Sequence, residues 1–174
     1  MEGSSLPFDS ILADCLAYVR TAHGEVHAQR LFFELYNAIF SFLDRELGEA
    51  SVDRYWGHLG SNSLGALSAL VAEHGLDGMR QYWSMVAADE DAVIDTAIED
   101  HEFRFTVRRC PPTEWLESAP VQPYPRYPLH CKVLYERVAA EHGYEAEYHP
   151  PDPANGTCCR MIFRERGDDA GGDA

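Results

Sequence analysis

Apolar residues recur at helical spacing through the first half of the chain and alternate with polar ones beyond residue 100, a pattern that predicts helices first and a small sheet after them. Behind the cap candidate Asp9, the positions Ile11, Leu12, Cys15, Leu16 and Val19 mark a first helix, interrupted at Gly24. A longer helix over 25–47 presents Leu31, Phe32, Leu35, Tyr36, Ile39, Phe40, Leu43 and Leu47, a stripe wide enough for a central packing element. Gly48 is its natural stop. Ser51, Arg54, Tyr55 and Trp56 begin a shorter helix, and Asn62 or Ser63 is the cap expected for the next, which carries Leu64, Leu67, Leu70 and Val71 up to Gly75. Residues 77–88, with Met79, Tyr82, Trp83 and Val86, complete a helical layer.

Over 102–109 the period changes: Phe103, Phe105 and Val107 alternate with Arg104, Thr106 and Arg108, as in a half-buried strand. Cys110-Pro111-Pro112 ends it, because proline brings no donor to a ladder, and a proline-rich loop runs on through Pro120, Pro123, Pro125 and Pro128. Helical spacing resumes over 129–142 with Val133, Leu134, Val138 and Ala139 and closes at Gly143. Strands are predicted at 144–148 and 158–164, joined by the turn-rich stretch 150–156. The expected fold class is α+β: a mainly helical N-terminal layer packed on a small C-terminal antiparallel sheet with one inserted helix. One domain spans 8–166, between a flexible N-terminus at 1–7 and a disordered acidic tail at 167–174.

Composition narrows the function classes. The 174 residues include 14 Lys and Arg against 29 Asp and Glu, a formal net charge of −15 that repels phosphate backbones and anionic membranes. Nucleic acid and membrane are therefore not expected partners; a small-molecule substrate is, with homo-oligomerisation left open. No apolar run approaches the roughly 18 residues of a membrane span, and Met1 to Ser5 has no signal-peptide character, so the protein is expected to be soluble and cytoplasmic. Its five cysteines are expected as reduced thiols, the odd number fitting no closed disulfide framework.

Four of those cysteines fall late in the chain. Cys110 stands where a strand meets a rigid turn, Cys131 near a helix start and Cys159 early in the final strand, so a sheet edge and a helix N-terminus can bring them together. The helix N-terminus and Arg108, Arg109 or Lys132 are expected to lower a thiol pKa toward the nucleophilic thiolate, although plain core packing accounts for any single cysteine as well. Zinc held by Cys110, Cys131 and Cys159 with His130 or His101 is the metal alternative, without Cys-x-x-Cys spacing to support it; otherwise no cofactor is expected. His23 and His27 read as surface residues. Cys158 and Cys159, adjacent on a strand, should face opposite sides, leaving one of them in a site. Glu99-Asp100-His101-Glu102 gathers titratable groups in which His101 serves as acid or base unless it is a solvated turn. Arg108, Arg126, Arg104, Tyr124 and Tyr127 offer donors for a small carboxylate, with the surface of a very acidic protein as the equal alternative for each.

The run Phe105-Thr106-Val107-Arg108-Arg109-Cys110-Pro111, the pair His130-Cys131 opening a helix, Gly143-Tyr144, and the ending Gly156-Thr157-Cys158-Cys159-Arg160-Met161-Ile162-Phe163 resemble the L-2-amino-thiazoline-4-carboxylic acid hydrolase-like family. The likeness spans about 31–163, its specific part about 103–163. Thr157 stands where that family usually has Asp, Met161 takes the place of a Phe, and an extra cysteine precedes the matching one. The resemblance implies a hydrolase of a non-peptide, cyclic carbon–nitrogen bond in a small heterocyclic amino-acid derivative, acting in specialised metabolism. The ring carbon between sulfur and two nitrogens is an amidine-like electrophile open to a thiolate or to activated water. On that reading Cys110 or Cys131 is the nucleophile and His101 or His130 the proton carrier, while Cys159 forms the pocket wall and Arg108, Arg126 and Tyr127 hold the substrate. The same order of elements also resembles vinyl-reductase-type ligand-binding domains, which imply a sensor or carrier without turnover. A third reading is an acidic surface that meets a basic protein partner.

Overall fold

The computed structural model describes residues 25–166. The first helix expected after Asp9, with Cys15, His23 and both terminal segments, lies outside them, as does the side chain of His27. The order of elements is α1 (Glu25–Leu47), α2 (Glu49–Asn62), α3 (Gly65–His74), α4 (Leu76–Glu90), β1 (Val93–Glu99), β2 (Glu102–Arg109), α5 (Pro111–Ser118), α6 (Leu129–Glu141), β3 (Tyr144–His149), a 3-10 turn (Pro153–Asn155) and β4 (Cys159–Glu165). The four strands form one antiparallel sheet in the order β1-β2-β4-β3. The chain has an α+β fold. Among the described residues no helix is long and apolar enough to cross a membrane.

The helices divide into two layers. Leu67 and Val71 of α3, Leu76, Met79 and Trp83 of α4, and Val138 and Ala139 of α6 pack on the inner face of the sheet, meeting Phe103, Phe105, Val107, Met161 and Phe163. A second cluster joins Phe40 of α1, Val52 and Trp56 of α2, Leu116 of α5, Tyr124 and Tyr127. The α3–α4 crossing is close enough to demand Gly78: a Cβ there would lie 2.0 Å from the Leu70 carbonyl oxygen, well inside van der Waals contact. At the end of α1, Gly48 has φ +80°, a conformation that leaves glycine the only unstrained choice.

Several expectations are corrected in detail. The buried face of α1 runs through Phe33, Asn37 and Phe40, whereas Leu31, Leu35 and Leu47 are exposed; Asn37 is accommodated because its amide donates to the Gln122 carbonyl and accepts from the Tyr124 N–H. Asn62 caps nothing ahead of it and bonds back to the His58 carbonyl at 2.8 Å. Two elements were not expected. Strand β1 was hidden because Val93-Ile94 and Ala97-Ile98 come in adjacent pairs rather than alternating. Helix α5 begins at Pro111-Pro112, where prolines read as a turn although the first helical turn needs no donor from them; only 119–128 remain irregular.

Along the inner face of the two central strands, Phe103 faces Phe163, Phe105 faces Met161, and Val107 faces Cys159. Side-chain size falls steadily toward the end where β2 runs into α5. At the wide end the Phe103 and Phe163 rings stack with centroids 5.8 Å apart. At the narrow end the space is left open.

Candidate active site

The opening is a cavity of about 420 Å³ beneath α4, α5 and α6. Its lining is mainly apolar, with Trp83, Phe105, Val107 and Met161 behind and Phe33, Tyr36 and Pro111 in front. The polar groups in it are Cys110, Cys131, Cys158, Cys159, His130, Tyr127, Tyr135, Glu90 and Arg108, with Thr113, Glu114, Glu117 and Thr157. A largely preformed apolar hollow with a handful of polar groups is the usual form of a small-molecule site.

Each thiol arrives on a different element. Cys110 is the residue between β2 and α5, its sulfur 3.2 Å from the Thr113 hydroxyl. Cys131 is the third residue of α6, and Cys159 opens β4 across from Val107. Cys158 also lines the cavity. It precedes the paired part of β4, so strand alternation does not turn it away, and the expectation that only one of the adjacent cysteines could enter is corrected. Its N–H donates to the Val107 carbonyl at 2.8 Å and its thiol to the Arg108 carbonyl at 3.4 Å.

Burial pushes the Cys110 thiol up, the Cys131 thiol well up and the Cys159 thiol to about 12, with neighbouring sulfurs adding to each shift. The opposite direction had been expected from nearby cations. Those cations are engaged elsewhere: Arg108 with Asp95 at 2.7 Å, Arg109 with Asp91 at 2.9 Å and Glu114 at 3.1 Å, and Lys132 with Glu136 at 3.8 Å. At rest, desolvation outweighs the helix N-terminus and the three thiols are neutral.

His130 is the base closest to a sulfur. Its Nδ1 bonds to the Tyr127 carbonyl, so that nitrogen carries the hydrogen and Nε2 offers a lone pair, 3.5 Å from the Cys131 sulfur. The ring is caged by Phe40 and Tyr127, with centroids 5.7 Å and 4.8 Å away, and its remaining surface opens onto the cavity. Burial lowers its pKa to about 4, which keeps the imidazole neutral. Tyr127 is buried in the same wall, its hydroxyl held protonated by burial and by Cys131 nearby.

Two expected site residues are not brought to the cavity. His101 lies in the β1–β2 turn with φ +62° and an 84% exposed side chain, 3.8 Å from Glu165. Arg126 is pinned to Glu49 and Asp53, each at 2.8 Å, and rests over the Trp56 ring. Arg108 does reach the wall, but its Nε bonds to Asp95 and its Nη1 to the Asn155 carbonyl and Thr157 hydroxyl. Among the described residues no three His, Cys, Asp or Glu side chains gather as a metal-holding group.

Sequence reasoning passed over Glu90 and Tyr135. Glu90 carried a signal: on α4 the face Met79, Trp83, Val86 continues to position 90, where a carboxyl replaces the apolar residue the spacing calls for. Burial, with Asp89 beside it, raises that carboxyl to about 7. Comparisons with protein-family models, with curated proteins and with solved structures find no match to this chain.

Proposed function

We propose that the cavity is the active site of a hydrolase that opens a non-peptide carbon–nitrogen bond at an amidine-like carbon of a small, mostly apolar heterocycle, with Cys131 as nucleophile. The observation that carries this reading is the Cys131–His130 pair, a thiol 3.5 Å from an imidazole nitrogen whose free lone pair is set by the bond on the other side of the ring. Such a pair is a nucleophile with its base in place. In the first step the Cys131 proton passes to Nε2, sulfur bonds to the ring carbon, and the carbon–nitrogen bond breaks as the leaving nitrogen takes that proton. In the second, water adds to the same carbon, its proton passing through His130, and the carbon–sulfur bond breaks to return the Cys131 thiol. Because burial disfavours the thiolate in the empty cavity, the nucleophile forms only once substrate is bound. Cys110 and Cys159 then serve as wall.

The neutral state of the three thiols also favours a second reading, a carrier or sensor that holds its ligand without turnover. Incubation with a panel of cyclic amidines, followed by mass spectrometry for gain of one water, separates the two. Hydrolysis that Cys131→Ser and His130→Gln each reduce at least 100-fold, with ligand binding within about threefold of the parent, supports the hydrolase. Binding without turnover across the panel overturns it in favour of the carrier.

A further inference from the structure

We infer that Glu90 is the recognition group of the cavity and that the ligand it selects carries a cationic amidinium or ammonium group on an apolar body. The inference rests on the hydrolase reading for the identity of the reacting carbon, and adds the charge class of the substrate.

Three observations lead there. Glu90 is the last residue of α4, and its side chain lines both the main cavity and a second hollow of about 330 Å³, the two sharing Phe33, Pro111 and Glu114 as well. The carboxyl therefore stands where a molecule entering through the more polar outer hollow would meet the apolar inner one. Next, among the described residues no cation pairs with it. Of the arginines in the outer hollow, Arg109 is committed to Asp91 and Glu114, and Arg30 lies over the Trp115 ring at 4.3 Å without an ion pair to Glu90 among the described residues. A half-buried carboxylate with no counter-charge among the described residues is disfavoured as the anion unless something neutralises it, and a ligand can do so.

The third observation is the sign of everything else in the wall. The titratable groups near Glu90 or sharing its wall are Asp89 and Tyr82 on its own helix, Cys110 between β2 and α5, Glu114 and Glu117 on α5, and Tyr127, Cys131 and Tyr135 at and before α6. Every one is neutral or becomes an anion. His130 is held neutral, and Arg108 already spends Nε and Nη1 on Asp95, Asn155 and Thr157. A carboxylate ligand finds one occupied arginine; a planar amidinium finds a carboxylate matched to its two parallel N–H donors. The bound cation would also favour the Cys131 thiolate, supplying the opposite charge that the empty cavity lacks.

Isothermal titration of the full chain with benzamidine, and with benzamide as its neutral counterpart of equal shape, tests the inference at pH 6 and pH 8. With a carboxyl that titrates near 7, benzamidine should bind about tenfold tighter at pH 8 than at pH 6, and benzamide at least tenfold weaker than benzamidine at pH 8. Glu90→Gln should lose about tenfold in benzamidine affinity together with the pH dependence, leaving benzamide unchanged. Equal affinity for the two probes, or benzamidine binding in Glu90→Gln that matches the parent at both pH values, overturns the inference. Cys131→Ser separates the two ideas: retained benzamidine binding there, with loss in Glu90→Gln, upholds cation recognition even if no amidine is hydrolysed. Conversely, Cys131-dependent hydrolysis that is indifferent to Glu90→Gln upholds the hydrolase and removes this inference.

Discussion

The two ends of one sheet face solve opposite problems with the same backbone. Where Phe103 meets Phe163, both rings are almost wholly buried and the space is filled; four residues farther along each strand, Val107 meets Cys159 and a 420 Å³ hollow remains. The pairing is antiparallel and unbroken from one end to the other, so the difference is one of side-chain volume alone. Close packing is the default of protein interiors, and a large hollow maintained beside a tightly filled region marks where binding, rather than stability, governs the choice of residue.

The largest expected effect falls at the filled end. Phe163→Ala should lower unfolding stability by about 3–5 kcal/mol in urea titration; a loss under about 1 kcal/mol would mean that the end described as closed can collapse or was never tightly packed.

At the open end the strongest test is electrostatic. A carboxyl raised to about 7 when folded binds protons that the unfolded chain, titrating near the ordinary value, has already released. Stability is therefore lost as pH rises from about 4.5 to 7. Glu90→Gln removes that loss and should be more stable than the parent at pH 8 by about 1–3 kcal/mol, the upper figure reduced because the group is only partly buried. At pH 4 the difference should vanish. His130, lowered to about 4 by burial, has the opposite sign: it contributes a loss as pH falls from about 6.5 to 4. Parent-minus-variant stability curves across pH 4 to 8 resolve the Glu90 contribution, and a flat difference would break the contrast between a neutral filled end and a chargeable open one.

Smaller still is the effect of filling the hollow. Cys159→Leu adds apolar volume to open space, so stability should change by less than about 1 kcal/mol, while benzamidine affinity drops at least tenfold in calorimetry. A large destabilisation would show that the space is not available. Least of all, His101→Ala at the exposed turn should leave stability within about 0.5 kcal/mol and ligand binding unchanged.

The sequence announced the outline of the fold because the long periodic segments survive in three dimensions: α1 spans the expected Glu25–Leu47 and the alternation of Phe103, Phe105 and Val107 places them on the buried side. It also named Cys110, Cys131, Cys159, His130 and Tyr127, which α6, β4, the β2–α5 junction and the irregular stretch 119–128 deliver to one wall. What it could not give was the sign of the electrostatics. Cationic neighbours in sequence, Arg108, Arg109 and Lys132, are drawn off by Asp95, Asp91, Glu114 and Glu136, partners fixed only by the folded arrangement. His101 was a candidate because it sat among acids, yet hairpin geometry sends it to solvent at the filled end of the sheet. Glu90 was legible as a break in an apolar stripe, had the helix been continued by two residues.

Among the described residues both outer strands of the sheet have one unpaired edge, a geometry that invites another chain to add on. Strand β1 carries Asp95 and Glu99, and β3 carries Glu145 and Glu147, at alternating positions. A second copy aligning along either edge would set carboxylates beside carboxylates, a repulsion that the pairing of Asp95, Glu99 and Glu147 with Arg108, Arg104 and Arg164 reduces and that Glu145 carries in full. These acidic borders thus guard a protein with exposed Val93 and Ile98 on β1 against sheet-to-sheet aggregation, and replacing their carboxylates by apolar side chains is the change that would lower that guard.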